Sequence, residues 1–525
     1  MVRVARSLAT SSNSVSRGPE RDSHALGQDK LAWPIRLFLL SLFLPWTIKL
    51  GSLALSPYRI VLIAMVVPCL LRWAGGKAGR VRVPDVLLFL YCFWSAISLM
   101  VAHGFQQSIE PAGILFIETV GTYLLARTYI RDANDFYGVV RLLFLVVAVL
   151  APFAILEALS NRAILLELFS AVLPSQPVAI TESRWGLRRV QGTLDHPILF
   201  GVVCGSILAL VHLVLGYRQK SHSKWTKSGI VAVTSFLALS SGPLTALIFQ
   251  ALMLAWNCLL RSYVHRWKIL LAPLVSLYVL IAIASNQSVP EFFITHFSFD
   301  TYSAGYRVLI WTFGSASVLN HPLFGVGFNR WDRPLWMPES IDMFWLTHAI
   351  YYGLPGAVLM IISFLALLYQ VSVQQSADER LNEYRTAYLI AMGSFFLVGW
   401  TVHFWNATYV LFVFLWASGA WMLNVRAPTA DKRNPRSKTE ARRGQRRLLE
   451  NSVQTRSPRD EVKAASVAAR FSIGCKREAL ADTAQPTHTP DEGSPLFSAA
   501  NRRPADLRSV REKAQRGKRP RPRIY

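Results

Sequence analysis

Twelve apolar stretches alternate with polar segments between residues 33 and 425. Each is close to the ~20 residues that cross a bilayer as a helix. They fall at 33–54, 57–74, 84–103, 108–126, 139–158, 193–216, 228–242, 244–260, 269–285, 343–370, 386–404 and 407–425. Pro45 and Lys49 interrupt the first. Only Ser241-Gly242-Pro243 separates the seventh from the eighth, which reads as a tight hairpin or as one broken helix. The pattern predicts an all-α membrane protein of ten to twelve transmembrane helices. Two connections are long, 159–191 and 286–342. In the second, Arg307 to Leu319 has apolar residues at helical spacing but is too short to span, which predicts a helix lying along the surface. Pro322 ends it, and Gly325 and Gly327 permit a turn back. The loop domain is therefore expected to be mostly helical. The polar segments 1–32 and 426–525 predict disorder.

Charge orients this pattern. Threading the runs in alternation puts Lys77/Arg80/Arg82, Arg127/Arg131, Arg218/Lys220/Lys224/Lys227 and Arg261/Arg266/Lys268 on one side. By the positive-inside bias that side is cytoplasmic, and both termini join it. The opposite, outer side carries Lys49 as its one lysine. Its long loops hold arginines: Arg184, Arg188 and Arg189 in the first, Arg307, Arg330 and Arg333 in the second. Cations on the translocated side oppose the bias, which points to chemistry. A planar guanidinium that keeps its proton is suited to clamping phosphate.

Composition narrows the class. The 525 residues are 52% hydrophobic with 16 Trp, and the mean hydropathy is +0.31, too apolar for a soluble basic protein. The net charge of +25 does not imply nucleic acid. Arg426–Tyr525 holds 25 Lys/Arg against 11 Asp/Glu, or +14, an ordinary load for a cytoplasmic tail beside anionic lipid. The five cysteines form no CxxC or Cys/His cluster, so a zinc site is not expected, and no cofactor is called for.

The first loop closes with Arg188-Arg189-Val190-Gln191-Gly192-Thr193-Leu194-Asp195-His196-Pro197. Pro197 suits a first helical turn and Asp195 an N-cap. A helix N-terminus beside arginines forms an anion site; interfacial arginines touching lipid phosphate are the plainer reading. Asp342 is either a base or an ordinary cap before Phe344. Trp345 reads by default as an interfacial aromatic, and His348 as a buried helix residue or a catalytic one.

RVQGTLDHPILFG (Arg189–Gly201), YRVLIW (Tyr306–Trp311), HPLFGVGF (His321–Phe328) and DMFWLTHAIYYGLPG (Asp342–Gly356) resemble the bacterial O-antigen ligase and polysaccharide polymerase family in order, spacing and topology over about 30–425. The resemblance implies an inner-membrane glycosyltransferase that takes glycan from undecaprenyl diphosphate and passes it to an acceptor sugar hydroxyl without a metal. Arg189 and Arg307 match the arginines implied to grip the diphosphate. Arg188, His321, Gly325, Gly327, Arg330, Trp345 and His348 are the further substrate-binding candidates. Family ligases commonly carry a His where this chain has Asp342, and Ile341-Asp342-x-Phe344-Trp345-Leu346 looks more like members that polymerise O-antigen or exopolysaccharide repeats. The expected function is therefore polymerisation of lipid-linked repeat units, with Asp342, Arg307 and Arg189 catalytic. The alternatives are ligation to lipid A core and, from another class, a lipid-linked oligosaccharide flippase. A flippase and a chain-length regulator are the partner proteins implied, besides donor glycan, acceptor glycan and the bilayer.

Overall fold

The computed structural model describes residues 31–424 except 51–52, 264, 287–288, 297–300 and 375. The segments expected to be disordered, 426–525 and 1–32 apart from its last two residues, lie outside the described residues. Nine helices among the described residues are long and apolar enough to cross a membrane: Pro57–Ala74, Val83–His103, Phe105–Tyr129, Ala133–Ser160, Pro197–Leu215, Ser241–Leu259, Arg266–Ala284, Phe344–Val373 and Asn406–Asn424. Their outward faces carry large exposed apolar side chains, such as Leu71, Phe93, Val149 and Ile283. Surface of that kind suits lipid and is rare on soluble monomers. The chain thus has the helices of a multi-pass membrane protein.

All twelve predicted runs contain helix, but three differ from a simple span. Run 33–54 is not one helix: Trp33–Ser41 has nine residues, about 13 Å at 1.5 Å per residue, under half a hydrocarbon core. The chain then reaches Pro45 and folds into an antiparallel hairpin, Ile48–Leu50 against Leu53–Leu55, with Ile48 opposite Leu55. The seventh run is the 16-residue helix Ser221–Phe236. A turn with Leu239 in a left-handed conformation (φ 46°) separates it from Ser241–Leu259, which settles the hairpin against the broken helix. The eleventh, Glu379–Val398, is long enough but has a polar first half.

Pro197–Leu215 and Asn406–Asn424 are buried almost throughout and form the centre. The aromatic core around Phe344, Trp345, Phe364, Phe395, Phe412 and Trp416 packs there. The second long connection is helical, with Val289–His296 and Thr301–Asn320. The helix predicted from Arg307 is therefore present but starts earlier. Ile310, Val318, Val326, Trp331, Met337 and Ile350 give this region its own small core. The first long connection departs from the expected helical loop: after Ile164–Ser170 it runs to His196 without regular structure.

Contacts between the connections fall into two groups. At one end Arg131 donates to the Lys77 carbonyl (2.6 Å), Arg127 to that of Arg80 (3.0 Å) and Arg82 to that of Leu423 (2.9 Å). Arg380 donates to Asn134 (2.9 Å), and Arg261 pairs with Glu379 (2.5 Å). At the other end the Thr47 N–H bonds Pro174, Gln176 bonds Pro45, Val190 bonds Leu237 and Phe344 bonds Val402. The second group is called the arginine end below.

Candidate functional site

The site is built on two turns of the arginine end, and a broken helix supports it. Within Phe344–Val373, Gly353 adopts φ 73°, ψ 177°, a region open essentially to glycine alone. Pro355 has no N–H, so the Tyr351 carbonyl has no helical donor. The loop from His321 to Phe328 repairs the break. Val326 donates to Ile350 (2.8 Å), Gly327 donates to Tyr351 (3.0 Å), and the Pro322 carbonyl accepts from Leu354 (2.8 Å). Trp94 Nε1 donates to the Tyr352 carbonyl (2.9 Å), and Ser98 donates to Phe324. Gly325 (φ 65°) and Gly327 (φ 60°) allow this close docking. A Cβ at Gly327 would run into His103, whose ring accepts from the Phe328 N–H (2.8 Å). The two glycines proposed from sequence for substrate binding therefore hold the backbone junction.

Arg307 projects from the Thr301–Asn320 helix and is only 4% exposed. Its Nε donates to the Thr401 carbonyl (2.9 Å) and its NH1 to Ser303 (2.8 Å). Arg189 donates weakly to the Ala238 carbonyl (3.4 Å), and Arg184 reaches that of Leu239 (2.9 Å). The turns receiving these arginines, 237–241 and 399–406, touch each other: a Cβ added to Gly242 would meet Val402 Cγ2 at 2.6 Å. Arg189 and Arg307, widely separated in sequence, thus attach to one pair of adjoining turns.

The same turns gather the other polar groups. Asp342 is half-buried. Burial raises its carboxyl above the usual range while the positive charge of nearby Arg307 opposes the rise. It does not cap the following helix, whose cap position is Met343 without a side-chain bond. Likewise His196, not Asp195, caps Pro197–Gly205: its Nδ1 accepts from the Ile198 N–H (3.2 Å). Burial pushes His196 down to about 4, and the charge of Arg189 adds to this. Its ring lies 6.4 Å from that of Trp405, which stacks on His403 at 5.8 Å. Burial also pushes His403 down to about 4.

The remaining sequence candidates scatter. Trp345 is 1% exposed and spends its indole N–H on the Phe396 carbonyl (2.9 Å), so no ring face is left for a sugar. His348 is core, 6% exposed, with Nδ1 on the Tyr91 hydroxyl (3.0 Å). Arg188 is drawn back to Glu157 (3.8 Å), whose carboxylate also accepts from the Gln191 and Gly192 N–H groups. His321 sits near Asp332 (3.8 Å) at the surface, and Arg330 is exposed. Among the described residues, no three His, Cys, Asp or Glu side chains converge as a metal site would require.

Sequence reasoning missed Arg59 and Glu118. Arg59 Nε meets Glu118 Oε1 at 2.7 Å, Tyr58 donates to the same oxygen (3.0 Å), and Arg59 NH2 reaches Asn406 (3.2 Å). Asn406 Nδ2 in turn donates to Asp195 (3.0 Å). The signal was present, because ionisable residues inside apolar runs are functional candidates by default. Attention to loop charges passed over it.

No protein-family model and no curated protein matches this chain. The family resemblance therefore rests on the quoted motifs, and the site's chemistry on its geometry.

Proposed function

We propose that the chain is a glycosyltransferase that polymerises polyprenyl-diphosphate-linked oligosaccharide repeats at its arginine end, the periplasmic end in the threading above. The observation that carries this reading is the attachment of Arg189 and Arg307 to one pair of adjoining turns, with Asp342 beside Arg307. In the reaction the bond from the anomeric carbon to the diphosphate oxygen breaks. A bond from the acceptor hydroxyl oxygen forms, and the hydroxyl proton passes to a base. The departing diphosphate accumulates charge that two guanidiniums are suited to stabilise. Asp342 supplies the base, its raised affinity for a proton suiting that task.

The test is a reconstituted full-length protein given lipid-linked repeat units alone. A ladder of carrier-linked chains supports polymerisation. Product only after a separate core acceptor is added makes it a ligase. Movement of labelled lipid-linked sugar across the vesicle membrane without product makes it a flippase.

A further inference from the structure

Beside the arginine turns lies a second recess. It is a cavity of about 160 Å³ between the Leu42–Arg59 segment, Gln176, Thr193–Asp195 and Asn406. Its wall is apolar at Leu44, Pro45 and Trp46. The polar lining includes Thr47, Arg59, Gln176, Asp195 and Asn406. These are planar or hydroxyl groups from four segments, and Ala54, which also lines the cavity, is exposed.

The charge here is already balanced. Arg59 is paired with Glu118, and Asp195 is held by Asn406, so the three charged groups sum to −1. A recess with no cation to spare does not suit phosphate. Its mix of an apolar wall with amide, guanidinium and carboxylate groups suits the carbon face and hydroxyls of an uncharged sugar ring. Glu118 lies in a π-helical turn, Ile117–Gly121, a distortion frequent at functional sites. The turn that ends in Asn406 at this recess carries Thr401, which receives Arg307.

We propose that this cavity is a subsite for an uncharged sugar of the acceptor glycan, distinct from the diphosphate-binding arginines and joined to them by the 399–406 turn. The proposal rests on the glycosyltransferase reading for the word acceptor, but not for sugar binding itself.

The experiment uses the full chain in lipid nanodiscs and two probes. One is the repeat-unit oligosaccharide released from the host cell's surface polysaccharide, reduced at its end and free of phosphate. The other is inorganic pyrophosphate. Binding is read from tryptophan fluorescence, since Trp46 lines the cavity. Ala54→Trp narrows the cavity, and Asp195→Asn keeps an acceptor for Asn406 while removing the charge. Each is expected to weaken oligosaccharide binding about tenfold or more, the worth of a hydrogen bond to a charged group, and to leave pyrophosphate binding unchanged. Unchanged oligosaccharide affinity in both variants overturns the proposal, as does failure of the wild-type protein to bind the oligosaccharide. Loss of pyrophosphate binding instead makes the cavity an anion site and also overturns it. Oligosaccharide bound in the cavity of a protein that makes no glycan product upholds the sugar subsite and refutes the glycosyltransferase reading.

Discussion

At the Gly353 break, the carbonyls of Ile350, Tyr351 and Tyr352 each receive a donor from another segment. Around the 399–406 turn, by contrast, the Asp342 carboxylate has no hydrogen bond among the described residues, and His403 Nδ1 is buried without a partner. Both regions lie at the arginine end, and both hold residues singled out from sequence. The first is closed along its backbone: the carbonyls freed by the break are taken up in joining a loop to a broken helix. The second keeps charge and hydrogen-bonding capacity in reserve. The most distinctive pattern in the chain, His-Pro-Leu-Phe-Gly-Val-Gly, belongs to the closed region. A backbone under steric constraint writes a strong sequence signature, because few residues tolerate it. Chemistry assembled from side chains of distant segments writes a weak one.

The largest effect should come from the closed region. Gly353→Ala places a side chain at φ 73° against the Leu323 and Pro322 backbone. Strain of this kind, added to steric collision, is expected to cost more than about 3 kcal/mol. The check is thermal unfolding and size-exclusion behaviour in detergent. A variant that elutes and melts like the wild type removes the distinction between the two regions.

Arg307→Lys tests the open region. Charge is kept, but the planar two-bond grip is lost, and the rate of glycan transfer should fall by about 10²–10³. Arg189→Lys should behave similarly. Melting temperature measured alongside separates the effect from loss of the Thr401 contact. Normal-length polysaccharide from both abundant variants makes these arginines interfacial anchors.

Asp342→Asn should lower turnover by about 10–100-fold, within the usual worth of a general base. As its carboxyl is raised by burial, the wild-type rate should fall on acidification at a pH above the usual carboxylate range. That acid limb should vanish in the variant. An unchanged profile assigns the base elsewhere.

How far the sequence spoke follows the same division. Apolar runs gave the helices, because length and hydropathy alone decide which segments fit a bilayer. They misjudged 33–54, where hydropathy continues through Pro45 although helix geometry does not. The loop arginines and Asp342 were visible as charges in unfavourable places. Residue type alone does not reveal that the Trp345 indole N–H is engaged by Phe396, or that His348 Nδ1 is engaged by Tyr91 while its Nε2 is buried without a partner. Arg59 and Glu118 were legible singly, as ionisable residues inside apolar runs, but their meeting with Asn406 was not, since it depends on how three segments distant in sequence converge.

A smaller effect concerns pH and stability. His196 and His403 are held at about 4, against about 6.5 in an unfolded chain. Between these values the unfolded chain binds more protons, so stability falls as pH drops from about 6.5 toward 4. Asp342 and Asp195, both raised by burial, act oppositely: acidification through their raised values favours the folded state. His403→Gln should flatten the acid loss measured by melting temperature across this window. An equal slope in the variant means that other groups control it.

The smallest effect should come from Arg330→Ala. Arg330 belongs to the same loop arginines as Arg307, but from sequence it is a substrate-binding candidate where Arg307 is a catalytic one. It is exposed, whereas Arg307 is 4% exposed and fixed by Thr401 and Ser303. A guanidinium in water gains little from a phosphate, because bulk dielectric and salt screen it, while a buried and oriented one acts at full strength. Stability should move by under about 0.5 kcal/mol, and the transfer rate by less than about threefold at physiological ionic strength. The informative comparison is the salt dependence of the KM for lipid-linked donor. If Arg330 only draws the donor in from a distance, its removal should raise KM at low salt and have no effect at high salt, with kcat constant. A fall in kcat comparable to that of Arg307→Lys would extend the diphosphate grip beyond the two turns, and the boundary between the reserved and the closed parts of this loop would have to be redrawn around Arg330.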